Sequence, residues 1–104
     1  MTARRRLPNR RASTTFDFIA QGMTFTATFS RDQTGEVREV FLRNHKASSM
    51  AGINASDASV LWSIARQYGV PFEVLQKSLM RNADGSGAGP LAVCLDLIAE
   101  NRKP

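Results

Sequence analysis

The chain has 104 residues, of which 42% are hydrophobic and 22% charged, with 7 glycines and 4 prolines. Its length is the common size of one domain, and its composition excludes a collagen, a disordered tail and a disulfide scaffold. No apolar run approaches the ~20 residues that span a bilayer, so we expect no contact with a membrane. The lone Cys94 excludes an internal disulfide, and with no signal-peptide pattern at the N-terminus it predicts a cytoplasmic protein.

The net charge of +5 is concentrated near the N-terminus, because the residues from Ala12 onward carry equal numbers of basic and acidic side chains. We therefore predict a flexible basic arm over residues 1–12 and a single α+β domain over residues 13–104. Such an arm would bind nucleic acid through its phosphates in a salt-sensitive way, or it would simply be solvated. The arm contains Arg4, Arg5, Arg6, Arg10 and Arg11.

Apolar and polar residues alternate along the first half of the domain, which is typical of strands. Gln21-Gly22 predicts a tight turn between the first two strands, and residues 31–35 predict a turn into a third. The break in alternation at Val40, Phe41 and Leu42 indicates a bulge or a strand covered on both faces. The result is an antiparallel meander of three strands, whose threonine face is either solvated or a docking surface.

From Asn54 the apolar period becomes that of a helix, capped by Asn54 or Ser56 and ended by Gly69. Pro71 and Pro90 predict the first turns of two further helices. Strands followed by helices indicate an α+β fold with three helices packed on one face of the sheet. The predicted core consists of Phe16, Phe18, Phe25, Phe29, Val40, Leu42, Leu61, Ile64, Leu75, Leu79, Leu95 and Ile98.

Few residues could carry chemistry, so we predict no catalytic residue, no metal site and no cofactor. His45 is the only histidine, and Cys94 lies on the apolar side of its helix, where a core role is far more common than a catalytic one. The glycine-rich segment 85–89 lacks the Lys-Ser/Thr of a phosphate-binding loop, which favours a plain connector.

The segment between the third strand and the first helix contains the best candidate for an anion or nucleotide site. Positive and hydroxyl or amide side chains lead there to a helix N-terminus, which favours a phosphate. The alternative is that these groups are solvated and that the serines satisfy the backbone of the loop. The candidate residues are Arg43, Asn44, His45, Lys46, Ser48 and Ser49.

The order of these features resembles the C-terminal module of adenosylcobalamin-dependent ribonucleotide reductases, and related small stand-alone proteins are grouped as TSCPD-domain proteins. The resemblance runs from about Arg4 to about Leu79, and Gln67-Tyr68-Gly69-Val70-Pro71 is its most specific stretch. It is carried by residues 4–11, the Phe-rich hairpin, residues 35–42, Lys46 with Ser48 and Ser49, and residues 64–75. The motif Thr-Ser-Cys-Pro-Asp is absent, and one cysteine cannot be both radical site and reducing dithiol.

The resemblance therefore implies a non-catalytic module rather than an independent reductase. In the first hypothesis it binds a partner protein, which includes a second copy of itself, or a nucleotide, through the sheet face and residues 43–49. In the second hypothesis it is a small nucleic-acid-associated protein that uses its arginine arm.

Overall fold

The computed structural model describes residues 3, 4, 7, 12–46 and 49–102. The first two strands, β1 (Ser13–Ala20) and β2 (Met23–Arg31), form the predicted hairpin. Gln21 and Gly22 join them with φ angles of 53° and 72°. Two consecutive positive φ angles give a turn whose twist matches that of the strands, so the hairpin is set by its own sequence.

The third strand, β3 (Val37–Asn44), pairs antiparallel with β2 and completes the sheet in the order β1-β2-β3. Its register shifts by one residue: Ser30 lies opposite Glu39, whereas Arg31 lies opposite Val37. The structure therefore has a bulge, but it lies at the start of β3 and not at the predicted position around Phe41. The sequence of three antiparallel strands followed by helices is confirmed.

Asp32 holds the turn between β2 and β3 together. Its carboxylate accepts hydrogen bonds from the main-chain N–H groups of Thr34 and Glu36, at 2.8 and 3.1 Å, and from Nε of Arg38 at 2.8 Å. Burial raises the pKa of Asp32, but the hydrogen bonds from Thr34 and Arg38 more than offset this and hold the pKa well below its usual range.

Because its pKa is depressed in the folded protein, ionised Asp32 stabilises the fold above about pH 4, and this contribution is lost as the pH falls below that value. We expect Asp32→Ala to lower the unfolding free energy by about 1 to 3 kcal/mol at pH 7. Urea denaturation between pH 3 and pH 7 should show the difference between the two proteins shrinking with falling pH. A pH-independent difference would mean that the loss comes from packing and not from the charge.

The first helix, α1 (Met50–Gln67), begins earlier than predicted. Ser49 is its N-cap and accepts a hydrogen bond from the N–H of Gly52 at 3.0 Å, so the predicted caps Asn54 and Ser56 lie within the helix. The predicted stop is confirmed, because Gly69 follows the helix with a φ of 98°.

The buried face of α1 is not the predicted one. Leu61 was expected in the core but is 68% exposed, whereas its neighbour Trp62 is 4% exposed. The reason lies in the backbone of β3, which has no further strand beside it in the described part of the chain. The N–H of Val40 donates to Oγ of Ser63 at 2.9 Å, and that of Leu42 donates to Oγ of Ser59 at 3.1 Å. The helix turns its serines inward because the edge of the sheet needs hydrogen-bond partners.

Two further helices, α2 (Phe72–Ser78) and α3 (Pro90–Arg102), complete the domain. Pro90 begins α3 as predicted, whereas Pro71 is the N-cap of α2 and lies just before its first turn. The apolar face of α3 is buried as expected. Among the described residues no helix is long and apolar enough to cross a membrane. Of the remaining predicted core, Phe16, Ile64, Leu75 and Leu79 are half-buried, and Phe18, Phe25, Phe29, Val40, Leu42, Leu95 and Ile98 are buried.

Candidate functional site

One face of the sheet carries the polar side chains of its strands. The core cluster gathers the inward residues Phe18, Phe25 and Leu42 with residues of all three helices. The side chains that alternate with these inward residues form the outer face, on which Phe41 is 41% exposed and Ile19 is 69% exposed. We call this surface the outer sheet face; its central residues are Thr24, Thr26, Thr28, Phe41 and Arg43.

A row of side chains along β3 gives the outer sheet face its chemistry. Phe41, Arg43 and His45 follow one another at a spacing of two residues, so they share this face, and all three are exposed. His45 continues the row beyond the end of β3 because its N–H donates to the carbonyl of Thr24 at 3.3 Å. We call these three residues the β3 row. The sequence pattern marks Phe41 only as a break in alternation, although an exposed aromatic close to an arginine is itself a sign of a binding surface.

Hydrogen bonds cross the outer sheet face from the β3 row to β1. The hydroxyl of Thr26 donates to Oδ1 of Asp17 at 2.6 Å and lies 3.2 Å from Nε2 of His45. Because the threonine gives its single proton to the carboxylate, Nε2 of His45 must donate to it. The imidazole is therefore oriented, but its Nε2 is not available as a base in this arrangement.

The structure divides the predicted anion site instead of gathering it at the helix N-terminus. Oδ1 of Asn44, which is buried, accepts the N–H of Lys46 at 2.6 Å, and Ser49 donates to the carbonyl of Lys46 at 2.8 Å while capping α1. Both groups thus satisfy the backbone of their own loop. Arg43 and Lys46 are exposed, and Ser48 lies outside the described residues.

A cleft of about 380 Å³ lies between the end of β3 and the start of α1. Arg43, Ser56 and Asp57 line it, together with the surface of Gly52 and Ile53. Because one cation and one carboxylate share this cleft, it has no excess positive charge. The cleft therefore does not favour an anion.

Cys94 has none of the properties of a reactive thiol. It is fully buried on α3, and burial raises the pKa of its thiol to about 12, so the thiol stays protonated at neutral pH. The described residues hold no cluster of metal-binding side chains. They do not fit the adenosylcobalamin-dependent radical chemistry of the reductases, which requires accessible thiols.

Of the arginines in the predicted arm, Arg4 lies in the described part of the chain. Its Nε donates to Oε1 of Gln67 at 2.6 Å, and Nε2 of Gln67 donates to Oε2 of Glu39 at 3.3 Å. This contact places residue 4 beside the end of α1. Four predicted arm residues lie outside the described part of the chain: Arg5, Arg6, Arg10 and Arg11.

Comparison with known proteins gives one match. Neither the curated proteins nor the solved structures contain a sequence or fold that matches this chain. The TSCPD domain, in contrast, matches residues 1–101, which include the arm, the sheet and all three helices. The chain therefore belongs to the TSCPD domain family.

Proposed function

We propose that this chain is a non-catalytic binding module that takes a nucleotide on its outer sheet face. The single observation that carries the proposal is the β3 row, in which an exposed aromatic, an arginine and an oriented imidazole share one open surface. Aromatic side chains on an open sheet stack with bases, and a guanidinium pairs with a phosphate through two hydrogen bonds. Phe41 would hold the base and Arg43 would contact the phosphates, while the oriented imidazole of His45 would line the site.

The surroundings of the β3 row support a small polar ligand. Thr26 and Thr28 lie opposite Arg43 and Phe41 on β2, so their hydroxyls line the same surface. Lys46 adds a further positive charge close to His45. The carboxylate of Asp17, on β1, accepts a hydrogen bond from Thr26. The resemblance to a reductase module makes a nucleotide a sensible ligand, and a single buried cysteine favours a cytoplasmic setting and a role without catalysis.

A titration with ATP or dATP, followed by amide chemical shifts, tests this function. At millimolar nucleotide we expect shifts in residues 41–46 and in the adjacent part of β2. The double variant Phe41→Ala/Arg43→Ala should abolish them, because it removes the stacking surface and the fork while leaving the core intact. Lys77→Ala is the matched control, since it removes an exposed positive charge on α2 and should leave the shifts unchanged.

Two results would contradict the nucleotide proposal. In one, residues 41–46 do not respond at millimolar nucleotide. In the other, they respond equally in the double variant, which would show that the nucleotide binds elsewhere.

A second candidate function, binding of a partner protein, is favoured by an apolar cleft on another side of the domain. The cleft has a volume of about 300 Å³ and is lined by apolar side chains that include Met23, Leu79 and Leu91. Met80, which is 79% exposed, lies at this cleft. Methionines adapt to differently shaped apolar groups, so the cleft would accept an apolar side chain of a partner. Binding of a partner protein does not depend on a response of the β3 row to nucleotide. A titration in which residues 41–46 do not respond would therefore leave it as the remaining candidate.

A further inference from the structure

The two edge strands of the sheet, β1 and β3, differ in how their outward main-chain groups are bonded. The edge of β3 is bonded by the serines of α1, whereas in the described part of the chain β1 pairs with β2 alone. Exposed strand edges are usually protected by proline, lysine, a bulge or a covering element, since they otherwise pair with other chains. Ser13–Ala20 contains no proline and no lysine, and its register with β2 is unbroken. Among the residues that the structure describes, the edge of β1 is thus open.

The hydrogen bonds between β3 and α1 show which main-chain N–H and C=O groups of β1 point away from the sheet. Val40 and Leu42 direct their N–H groups toward α1 and therefore not toward β2. Their partners on β2 are Phe29 and Ala27, which must then direct their own N–H and C=O groups toward β1.

The same alternation continues across the hairpin. Phe29 and Ala27 lie opposite Thr14 and Phe16, so those two residues are bonded to β2. The residues that alternate with them direct their N–H and C=O groups away from the sheet. These outward residues are Ser13, Thr15, Asp17 and Ile19.

We propose that β1 pairs antiparallel with β1 of a second copy of this chain, about a two-fold axis at Phe16. Thr15 then lies opposite the partner's Asp17, and Ser13 lies opposite the partner's Ile19. All of these are outward residues, and each such pair exchanges two main-chain hydrogen bonds, about eight in total. The two sheets join into one of six strands, twice the three of a single chain.

Side chains select this register over its neighbours. Phe16 is only half-buried in the single chain, and on the axis it would meet Phe16 of the partner subunit. The carboxylate of Asp17 would face the hydroxyl of the partner's Thr15, which is a donor. Moving the axis to Asp17 would instead bring two carboxylates face to face, which destabilises a strand pair. The strand is thus complementary to itself in the alignment about Phe16, and not in the alignment about Asp17.

Sedimentation and hydrogen exchange test the dimer without reference to nucleotide binding, since the β3 row lies on the opposite strand. We expect a mass of twice 11.4 kDa at high concentration. The amide protons of Thr15 and Asp17 should exchange slowly there and rapidly on dilution. Those of Thr14 and Phe16, which are bonded to β2, should exchange slowly at both concentrations.

Two variants of one residue isolate the main-chain bonds. Thr15→Pro removes an N–H that the single chain does not use internally, so it should weaken the dimer about tenfold or more. Thr15→Val keeps that N–H and loses only the hydroxyl that faces the partner's Asp17, so it should weaken the dimer much less than the proline variant does. If the proline variant fails to fold, the exchange pattern of the parent still decides. A monomer at millimolar concentration, or a dimer whose Thr15 and Asp17 amides stay fast, overturns the proposal.

Discussion

Replacing Arg66 with alanine is expected to lower the unfolding free energy by about 3 to 5 kcal/mol, a large fraction of the stability of a small domain. Arg66 is 2% exposed. Its Nε donates to the carbonyl of Val37 at 2.7 Å, one Nη donates to that of Val70 at 2.9 Å, and the other lies 3.1 Å from a carboxylate oxygen of Glu36. Alanine would leave two main-chain carbonyls without these donors.

The guanidinium of Arg66 also lies against two aromatic rings that contact each other. Its Cζ is 5.9 Å from the ring centroids of both Trp62 and Phe72. Truncation would therefore remove packing and cation–π contacts in addition to hydrogen bonds. Since these contacts join α1, the start of β3 and the start of α2, their loss should be felt by the whole domain.

Urea denaturation of Arg66→Lys and Arg66→Met separates the causes. Lysine keeps the charge, but its single ammonium nitrogen cannot reach the three acceptors that the separate guanidinium nitrogens reach, so we expect it to lose more than about 1 kcal/mol. Methionine keeps much of the aliphatic length without any donor and should fall closer to alanine. A lysine variant as stable as the parent would show that the charge matters and the planar fork does not.

The strands and α3 follow from local sequence signals. The alternation around Phe18 and Phe25 places both in the core, and Gln21-Gly22 fixes their register through the turn. Pro90 and the spacing of the apolar residues of α3 place Leu95 inward in the same way. Each of these elements buries an apolar face against another apolar face, which is the situation that hydrophobic periodicity detects.

Apolar periodicity could not predict which face of α1 is buried, because part of that face bonds the main chain of β3 and is therefore polar. Ser59, Ser63 and Arg66 stand at a spacing of four and three residues, on the same side of the helix as Trp62. This small polar stripe is the one signal in the sequence for a helix that bonds the backbone of a strand. A pattern that counts only apolar residues places this polar stripe on the solvent side of the helix. It therefore predicts that Leu61 is buried and that Trp62 is not.

For the candidate site, too, the sequence predicts what depends on the strand period but not what depends on how the loop folds. The strand period places Arg43 and His45 on one face, which the sequence could have indicated. It could not indicate that Asn44 and Ser49 are used by the loop's own backbone, because such bonds depend on how residues 44–52 fold back on themselves. These loop contacts are the reason why we propose the outer sheet face, and not the helix N-terminus, as the binding surface.

Replacing Trp62 with alanine is expected to cost about 3 to 5 kcal/mol, whereas Leu61→Ala should cost less than about 0.5 kcal/mol. Trp62 packs edge-on against Phe72, with ring centroids 5.6 Å apart, and belongs to the core cluster. Leu61, one residue earlier on the same helix, points away from that cluster and is largely exposed. The two variants therefore compare opposite sides of one helical turn.

The indole nitrogen of Trp62 sharpens this comparison. Nε1 is buried and has no hydrogen-bond partner within the part of the chain that the structure describes. Trp62→Phe removes that unpartnered group while keeping most of the ring, so it should cost clearly less than Trp62→Ala. Thermal and urea denaturation of the three variants measure these differences. A loss of about 2 kcal/mol or more for Leu61→Ala, with a small loss for Trp62→Ala, would mean that α1 packs on its apolar stripe and that its serines do not bond the edge of β3.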